Sequence, residues 1–320
     1  MEPTSSFTLI SNNMRKFIIR TLLFLAFMFV IDRMAGMALH YLSVHPKGGM
    51  TFHRNHLTNQ ITEDVLVMGS SRARFHYDPK VVTETTGLSC FNCGEDGHGI
   101  LLFYAWWKLI SQRYHPRLVI YDISPQYDLF TRDNHRDLGL LRRFYDDREE
   151  IKTLFHDVDS TEKLKMLSLM YRYNSSFTEL AADYVHPFTE TTSDGFIPVD
   201  KTIKPKKVYD KPRFSRTLTF DSLKLHYFEK FILEKGSTKL VFVASPIFDG
   251  MNTEAFAPAI DICKRYDIPF YDFSNDPRFV GVPKYFRDTN HLNAIGAATY
   301  TRLLMEKLIE GGYLKEDGAP

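Results

Sequence analysis

The side chains that could do chemistry lie at two distant places in the 320-residue sequence. A Gly-Ser-Ser stretch at 69–71 directly follows an apolar run at 65–68, and Asp288 and His291 stand three residues apart near the C-terminus. At that spacing a carboxylate can hold one imidazole nitrogen and leave the other free to take a proton from a serine hydroxyl. The pattern therefore indicates nucleophilic catalysis by Ser71, with His291 as base and Asp288 orienting it.

A glycine-rich turn follows the next predicted strand. The segment NCGEDGHG at 92–99 contains three glycines, whose bare amides could face a developing negative charge. In open parallel sheets, ligands bind beyond the carboxyl ends of the strands, and both this turn and Ser71 fall there. Each residue also has an ordinary reading: Ser71 as a turn or capping serine, Asp288 as a helix cap, and His291 as the first residue of a helix. Their combination favours a site.

Strands and helices alternate around these residues. Predicted strands cover residues 64–68, 88–92, 117–123, 238–246 and 268–274, and predicted helices cover 78–87, 100–113, 220–236, 253–267 and 291–312. Strand–helix repetition is typical of a parallel sheet with helices on both faces. We therefore predict an α/β protein: a three-layer flavodoxin-like fold with a central five-stranded parallel sheet, a helical and loop insertion, and an N-terminal transmembrane helix.

The chain divides into four predicted parts. Residues 1–40 form an N-terminal cytosolic tail and membrane anchor, and residues 41–61 a polar connecting segment. The sheet domain takes residues 62–125 and 237–315. Residues 126–236, rich in charged and aromatic side chains, break the alternation and are predicted to be an insertion that caps the sheet.

The N-terminal segment is apolar enough to enter a membrane. Residues 17–31, FIIRTLLFLAFMFVI, are interrupted only by Arg20. This run is short, because a spanning helix needs about 20 apolar residues, but Arg20 can extend to the headgroups and the helix can continue. Arg15 and Lys16 precede the run, so the positive-inside rule places the N-terminus in the cytosol. We expect a single-pass protein in which residues 17–40 contact the lipid bilayer and the catalytic domain is periplasmic or otherwise extracytoplasmic.

Two other readings of the N-terminal segment remain. A cleaved signal peptide would need a small-x-small site just after the apolar core, and none is evident there. The second of these readings is a buried amphipathic helix of a soluble protein.

Charge and cysteine content exclude some classes of function. Lys plus Arg total 40 against 39 Asp plus Glu, which leaves no electrostatic footprint for nucleic acid. Three cysteines are too few for a disulfide scaffold. Cys90 and Cys93 have CxxC spacing without a second pair or matching histidines, which favours small buried residues over a zinc site. Whether Cys90 and Cys93 pair with each other stays open at this point.

Three short blocks, in order, resemble the SGNH/GDSL hydrolase family. Gly-Ser-Ser at 69–71 stands where the family has Gly-Asp-Ser, NCGEDG matches the second block, and DTNHL matches the final Asp-x-x-His block. The resemblance covers residues 62–312 apart from the insertion. It implies a catalytic triad of Ser71, Asp288 and His291, and an oxyanion site formed by the amides of Ser71 and Gly97.

The sequence departs from the family pattern in two places. Ser70 replaces the family's Asp, a change also seen in membrane-anchored, cell-envelope branches. The third block, DISPQYDLF, lacks the Asn that donates to the oxyanion. Gln126 or Ser124 could substitute for this Asn, or the backbone amides could suffice. Losing one donor of this kind costs on the order of a hundredfold in rate.

Three further residues are candidates for substrate binding. Arg72 follows the nucleophile and could hold an anionic group, although it could equally be solvated or salt-bridged. Asn92 opens the second block, and His98 follows the glycine that is expected to donate to the oxyanion.

The resemblance implies a serine-dependent acyl ester hydrolase or O-acyltransferase, with an acetyl ester as the simplest substrate. The anchor favours an envelope or exported glycan, so an acylated glycan or small ester and proteins of polysaccharide synthesis are the expected partners. The chemistry requires no metal or cofactor. The alternatives are a non-catalytic carbohydrate-binding or assembly protein, and a membrane-facing lipase whose aromatic insertion serves as a lid.

Overall fold

The computed structural model describes residues 12–185, 194–204 and 219–314. The predicted cytosolic tail up to residue 11, residue 315, and residues 186–193 and 205–218 of the predicted insertion lie outside the described residues. A five-stranded parallel sheet has the order β2-β1-β3-β4-β5, which is the flavodoxin-like order. This confirms the predicted α/β fold. The strands are β1 (Val65–Gly69), β2 (Cys90–Asn92), β3 (Leu118–Asp122), β4 (Lys239–Ala244) and β5 (Phe270–Asp272).

The helices flank the sheet and build the insertion. In chain order they are α1 (Asn12–Val44), α2 (Gly49–Asn59), α3 (Ser71–His76), α4 (Pro79–Thr86), α5 (Ile100–Ile110), α6 (Pro125–Asp128), α7 (His135–Leu141), α8 (Glu149–Val158), α9 (Glu162–Lys165), α10 (Phe177–Val185), α11 (Ser222–Leu233), α12 (Ala257–Arg265) and α13 (Ala294–Glu310). Short 3₁₀ turns occupy Arg142–Phe144, Tyr171–Tyr173, Thr253–Phe256 and Pro283–Tyr285.

Strand β1 is buried on both faces. It pairs in parallel with β2 on one side and β3 on the other. Leu66 and Met68 belong to one core, with α5 and α11, while Val65 and Val67 belong to the second core, with α13. This two-sided burial explains why the strand is a continuous apolar run.

The predicted boundaries of the connecting segment and the insertion differ from the observed packing. Residues 41–61 contain the end of α1 and all of α2, and Leu57 and Ile61 lie in the core. Helix α11, which the sequence-based division assigns to the insertion, packs on the sheet, where the ring of Phe228 lies 4.4 Å from that of Phe242. Apolar side chains facing the sheet, rather than charge content, therefore decide where these helices lie.

Helix α1 has an exposed apolar half and a docked half. Its length and composition suffice to cross a membrane, and by themselves they fit a membrane span or a signal sequence. Beyond residue 31 the helix contacts the Tyr171–Tyr173 turn and α10 of the insertion. Leu39 forms a small buried cluster there with Tyr173 and Leu180.

The three cysteines are buried and unpaired. Cys90 and Cys93 lie in and just after β2, and burial raises the pKa of both thiols well above the ordinary value. They are therefore small core residues.

Candidate active site

A tight turn carries Ser71 from β1 into α3. Gly69 has φ 137°, and a Cβ there would lie 2.5 Å from the carbonyl oxygen of Asp122 on β3. Only glycine fits this combination of backbone conformation and close approach. Two residues later Ser71 begins α3, so its hydroxyl stands at the carboxyl end of the central strand.

The second part of the site is a short turn before α13. The carboxylate of Asp288 accepts hydrogen bonds from the backbone amides of Asn290, at 2.8 Å, and His291, at 3.0 Å. A β-bridge between Phe286 and Leu292 closes the turn. The backbone therefore fixes the carboxylate and the imidazole relative to each other.

The N-cap of α13 fixes the base of the same turn. The side-chain oxygen of Asn293 accepts a hydrogen bond from the backbone amide of Gly296 at 2.9 Å, and the backbone amide of Asn293 donates to the carbonyl of Tyr285. N-capping by Asn is a strong local preference, so the helix start is encoded beside the histidine.

The structure brings Ser71, His291 and Asp288 together. His291 Nε2 lies 2.8 Å from Ser71 Oγ, and His291 Nδ1 lies 3.0 Å from each carboxylate oxygen of Asp288. Because a carboxylate can only accept, Nδ1 carries the proton and Nε2 is left to accept from the hydroxyl. These are the contacts of a serine nucleophile, its base and the base's orienting group.

Electrostatics keep the orienting carboxylate ionised. Partial burial alone would raise the pKa of Asp288. The hydrogen bond and charge of His291, the amide of Asn290 and the charge of Arg287 outweigh it and hold that pKa well below its usual range. The Arg287 guanidinium is 3.2 Å from the carboxylate and stacks on the ring of Phe75 at 3.7 Å.

A second histidine, His76, holds the backbone of the turn that carries His291. The backbone amide of Leu292 donates to His76 Nε2 at 3.0 Å, so His76 Nδ1 carries the proton and donates to Ser245 Oγ at 2.8 Å. His76 is fully buried, and its burial, followed by the charges of His291 and Arg72, lowers its pKa well below the ordinary value. Sequence reasoning missed His76, because its partners come from distant segments.

Arg72 is part of a buried ion pair rather than a substrate-binding group. Its Nη2 lies 3.1 Å from the carboxylate of Asp122, its Nε donates to Ser124 Oγ at 3.2 Å, and it also donates to the carbonyl of Ile123. Both charged side chains are buried. This corrects the sequence-based assignment, and the salt-bridged alternative describes the residue.

Asn92 is also structural. Its amide nitrogen donates to the carbonyls of Ala73 at 2.7 Å and Tyr77 at 2.9 Å, and its oxygen accepts from the amide of Gly94. It is fully buried, so the prediction that it binds substrate does not hold. It instead joins the glycine turn to α3.

Helix α7 of the insertion closes over the glycine turn. His98 Nδ1 lies 2.8 Å from the carboxylate of Asp137, and this largely buried contact replaces the predicted contact of His98 with substrate. The guanidinium of Arg136 occupies the place that a side chain on Gly97 would need. No sequence signal pointed to Arg136 or Asp137, because the insertion lacks the strand–helix alternation.

The predicted oxyanion donors differ in their availability. The amide of Ser71 is the first in α3 and so has no intrahelical acceptor. Gly97 has φ 77°, a conformation that favours glycine, and its amide donates to Ser70 Oγ at a long 3.3 Å. This weak contact must be shared or broken before the amide can serve an oxyanion.

The two candidates for the missing Asn are placed differently. Ser124 is buried, with its hydroxyl oxygen accepting from Arg72 and its amide donating to Asp128 at 2.6 Å. Gln126 is half-buried, and its Oε1 has no hydrogen-bond partner within the described residues. Within the described residues, neither side chain forms a hydrogen bond with Ser71. The unpartnered Oε1 of Gln126 is an acceptor, so only its Nε2 could donate to an oxyanion, and the Ser124 hydroxyl, which accepts from Arg72, keeps its own O–H. Both residues therefore stay predictions as oxyanion donors.

One group with possible metal ligands lies in the insertion. His135, Asp159 and Glu162 approach one another, but Lys165 Nζ already contacts Asp159 at 2.9 Å and Glu162 at 2.8 Å. The ammonium group of Lys165 already occupies the space between the two carboxylates, so we assign no metal to this group.

Comparison with known proteins adds little to this geometry. No family model and no curated protein matches the chain. Among solved structures it is similar to a two-domain esterase active on acetylated mannans, with a TM-score of 0.38 and 11% identity over 88% of this chain and 59% of that chain. It is also similar to a gut microbial diltiazem-metabolizing enzyme, with a TM-score of 0.36 and 11% identity over 77% of this chain and 48% of that chain. At these values the likeness carries no argument about function, and the residues themselves must carry it.

Proposed function

We propose that this protein is a serine-dependent acyl ester hydrolase or O-acyltransferase of the SGNH type. The observation that carries the proposal is the 2.8 Å contact of Ser71 Oγ with His291 Nε2, with Asp288 on the opposite ring nitrogen. These residues come from the two ends of the sheet domain, 220 positions apart. Their order along the sequence, serine first and Asp-x-x-His last, is the motif order of SGNH hydrolases.

The proposed reaction proceeds in two half-reactions. In the first, His291 Nε2 takes the hydroxyl proton as Ser71 Oγ attacks the ester carbonyl carbon. The tetrahedral intermediate collapses, the alcohol leaves with the proton from Nε2, and Ser71 keeps the acyl group. In the second, Nε2 takes a proton from water or a sugar hydroxyl, which attacks the acyl-enzyme; the bond between the acyl group and Ser71 Oγ then breaks, Nε2 returns the proton to Ser71 Oγ, and an acid or a new ester is released. Asp288 stabilises the imidazolium in both.

We expect weak stabilisation of the oxyanion to limit the turnover rate of this site. The amide of Ser71 is the donor that the fold supplies most directly, and the amide of Gly97 joins it once the contact with Ser70 is released. Arg136 adds a positive charge beside this turn. With one fewer side-chain donor than the family pattern, we expect turnover on the order of a hundredfold below a complete site.

The proposed substrate is an acetyl ester on an envelope or exported glycan. The support is the N-terminal anchor and the resemblance to membrane-anchored members of the family. On this proposal the N-terminus is cytosolic, the sheet domain is extracytoplasmic, and proteins of polysaccharide synthesis are the expected partners.

Hydrolysis of p-nitrophenyl esters of increasing chain length by the full chain tests this function. We expect acetate to be turned over, long acyl chains to be poor substrates, and Ser71→Ala to be inactive. The control Ser70→Ala should keep activity, because its hydroxyl does not contact His291 and its removal only frees the amide of Gly97 for the oxyanion. Preference for long chains would favour the lipase alternative. Absence of turnover in the folded protein would favour the non-catalytic binding or assembly protein and contradict the proposal.

A further inference from the structure

We propose that residues 164–170 of the insertion form a second contact with the lipid bilayer, beside α1. The inference rests on the proposed membrane anchor and adds a membrane-facing surface in the folded domain. We call residues 164–170 the bilayer-facing turn.

The bilayer-facing turn exposes large apolar side chains close together. Leu164 is 70% exposed, Leu167 is 69% exposed and Met170 is 42% exposed. Single exposed apolar residues are ordinary on protein surfaces, but three within seven positions concentrate apolar surface on one short segment, and we call these three side chains the apolar patch. Such a patch gains stability when it leaves water.

The turn is fastened to α1 through backbone contacts. The carboxylate of Asp32 accepts hydrogen bonds from the amides of Leu169, at 3.0 Å, and Met170, at 3.1 Å, and Arg33 donates to the carbonyl of Leu167. A Cβ on Gly36 would overlap Leu169, so the helix and the turn are in direct contact. The patch is therefore held at the level of residues 32–36 of α1.

The length of the apolar helix places this level at the membrane boundary. At about 1.5 Å per residue, residues 17–31 cover roughly 22 Å of a hydrocarbon core about 30 Å thick. Arg15 and Lys16 limit the helix on one side, so the remaining thickness must be filled beyond residue 31. Met34 and Met37 are exposed on α1 in that region. The turn contacts α1 at the same level through Leu169 and Gly36 and supplies additional apolar surface.

The charges of α1 at this level and of Lys165 within the turn are paired, whereas Lys163, just before the turn, is exposed to the headgroup side. Arg33 and Asp32 pair with each other, and both also bond to the turn. Paired and hydrogen-bonded charges can lie at the headgroup boundary at lower cost than isolated ones. We therefore assign lipid as the partner of the patch, because the helix that would enter the bilayer fixes the patch beside it.

Site-directed fluorescence in vesicles tests the bilayer-facing turn. Because all three native cysteines are buried, a Leu167→Cys variant of the full chain can be labelled selectively with an environment-sensitive fluorophore. The protein is reconstituted in phosphatidylcholine–phosphatidylglycerol vesicles that carry a quencher either shallow in the acyl region, to report position 167, or near the bilayer centre, to report position 24. Phe24→Cys on α1 reports the anchor. Ile309→Cys on α13, which packs on the other face of the sheet, is the control outside the membrane.

We expect quenching at positions 167 and 24 and none at 309. Quenching at 24 without quenching at 167 would overturn the second contact while leaving the anchor intact. Energy transfer between labelled copies at 167, without lipid quenching, would show a second copy on the patch and also overturn it. Absence of quenching at 24 would reject the anchor itself, and with it the turn, whereas ester hydrolysis by the same variants reports the catalytic proposal separately.

Discussion

At the scale of single residues, the site depends on hydrogen bonds in which the chemistry of the partner decides which atom donates and which accepts. Asp288 and the amide of Leu292 each fix the tautomer of a histidine, the first at His291 and the second at His76. His76 does not contact Ser71 by hydrogen bond; it holds the backbone next to the base. We therefore regard it as a positioning residue.

Replacing His76 should slow turnover without abolishing it. His76→Ala leaves the buried amide of Leu292 without an acceptor, at a cost of about 1–3 kcal/mol, and lets the His291 turn move. We expect kcat to fall roughly ten- to hundredfold with a smaller change in KM. His76→Gln, which can still accept, should recover part of the loss, and the exposed His156→Ala should behave as wild type. Equal kcat values for His76→Ala and wild type would contradict the positioning role.

The same residue predicts a pH dependence of stability. Burial lowers the folded-state pKa of His76 well below the ordinary 6.5. As the pH falls below about 6.5, the unfolded chain takes up a proton that the folded chain excludes, so this contribution to stability is present above that pH and is lost below it. The difference in unfolding free energy between wild type and His76→Gln should therefore shrink between about pH 7.5 and 5.5. A pH-independent difference in denaturant titrations would argue that His76 is not buried and neutral.

At the scale of elements, the site needs two loops to approach α3 closely. Gly94 is where the glycine turn meets this helix, and a Cβ there would lie 2.6 Å from the Cα of Arg74. The neighbouring atoms are backbone and cannot move without shifting the turn that carries Gly97.

Gly94→Ala should therefore damage both stability and activity. We expect a loss of about 1–3 kcal/mol in unfolding free energy, the usual cost of overpacking, together with a fall in kcat as Gly97 is displaced. Gly139→Ala is the matched control, because its nearest neighbour would be 3.4 Å away and it lies in α7, where Ala is favoured. Denaturant titration and ester hydrolysis measure the two effects. Wild-type behaviour of Gly94→Ala would show that the turn is not closely packed.

The sequence predicted the elements whose signal is local. The buried strands, the Asp78 cap and the Gly87 stop of α4, and the order of the motifs could all be read from neighbouring residues. Helix α3 was not predicted, because its six residues are too few to show a helical period. The roles of Arg72 and His76 were beyond reach because their partners lie on other strands and loops. An arginine beside a nucleophile looks the same in sequence whether it faces substrate or a buried aspartate.

At the scale of the whole molecule, α1 carries the candidate membrane span and also belongs to the packed domain. Its second half packs on the insertion, and the insertion in turn contacts the glycine turn through His98 and Asp137. The second half of α1 and the candidate site are thus parts of one packed body.

Loosening α1 should be detectable by hydrogen exchange. Gly36→Ala places a Cβ against Leu169 and should displace the bilayer-facing turn from the helix. We expect faster amide exchange in residues 168–173, with ester hydrolysis largely retained because the triad is not touched. Met37→Ala, at an exposed position of the same helix, is the control. Unchanged exchange in Gly36→Ala would contradict the docking of α1 on the insertion.

The most direct measurement of the central claim is covalent labelling of the full chain by an organophosphonate, followed by mass mapping of the adduct. Attack by an activated serine should place the adduct on Ser71, and the adduct should be lost in His291→Ala and kept in Ser70→Ala. An adduct on Ser70, equal labelling of His291→Ala, or no adduct on the folded protein would contradict the account.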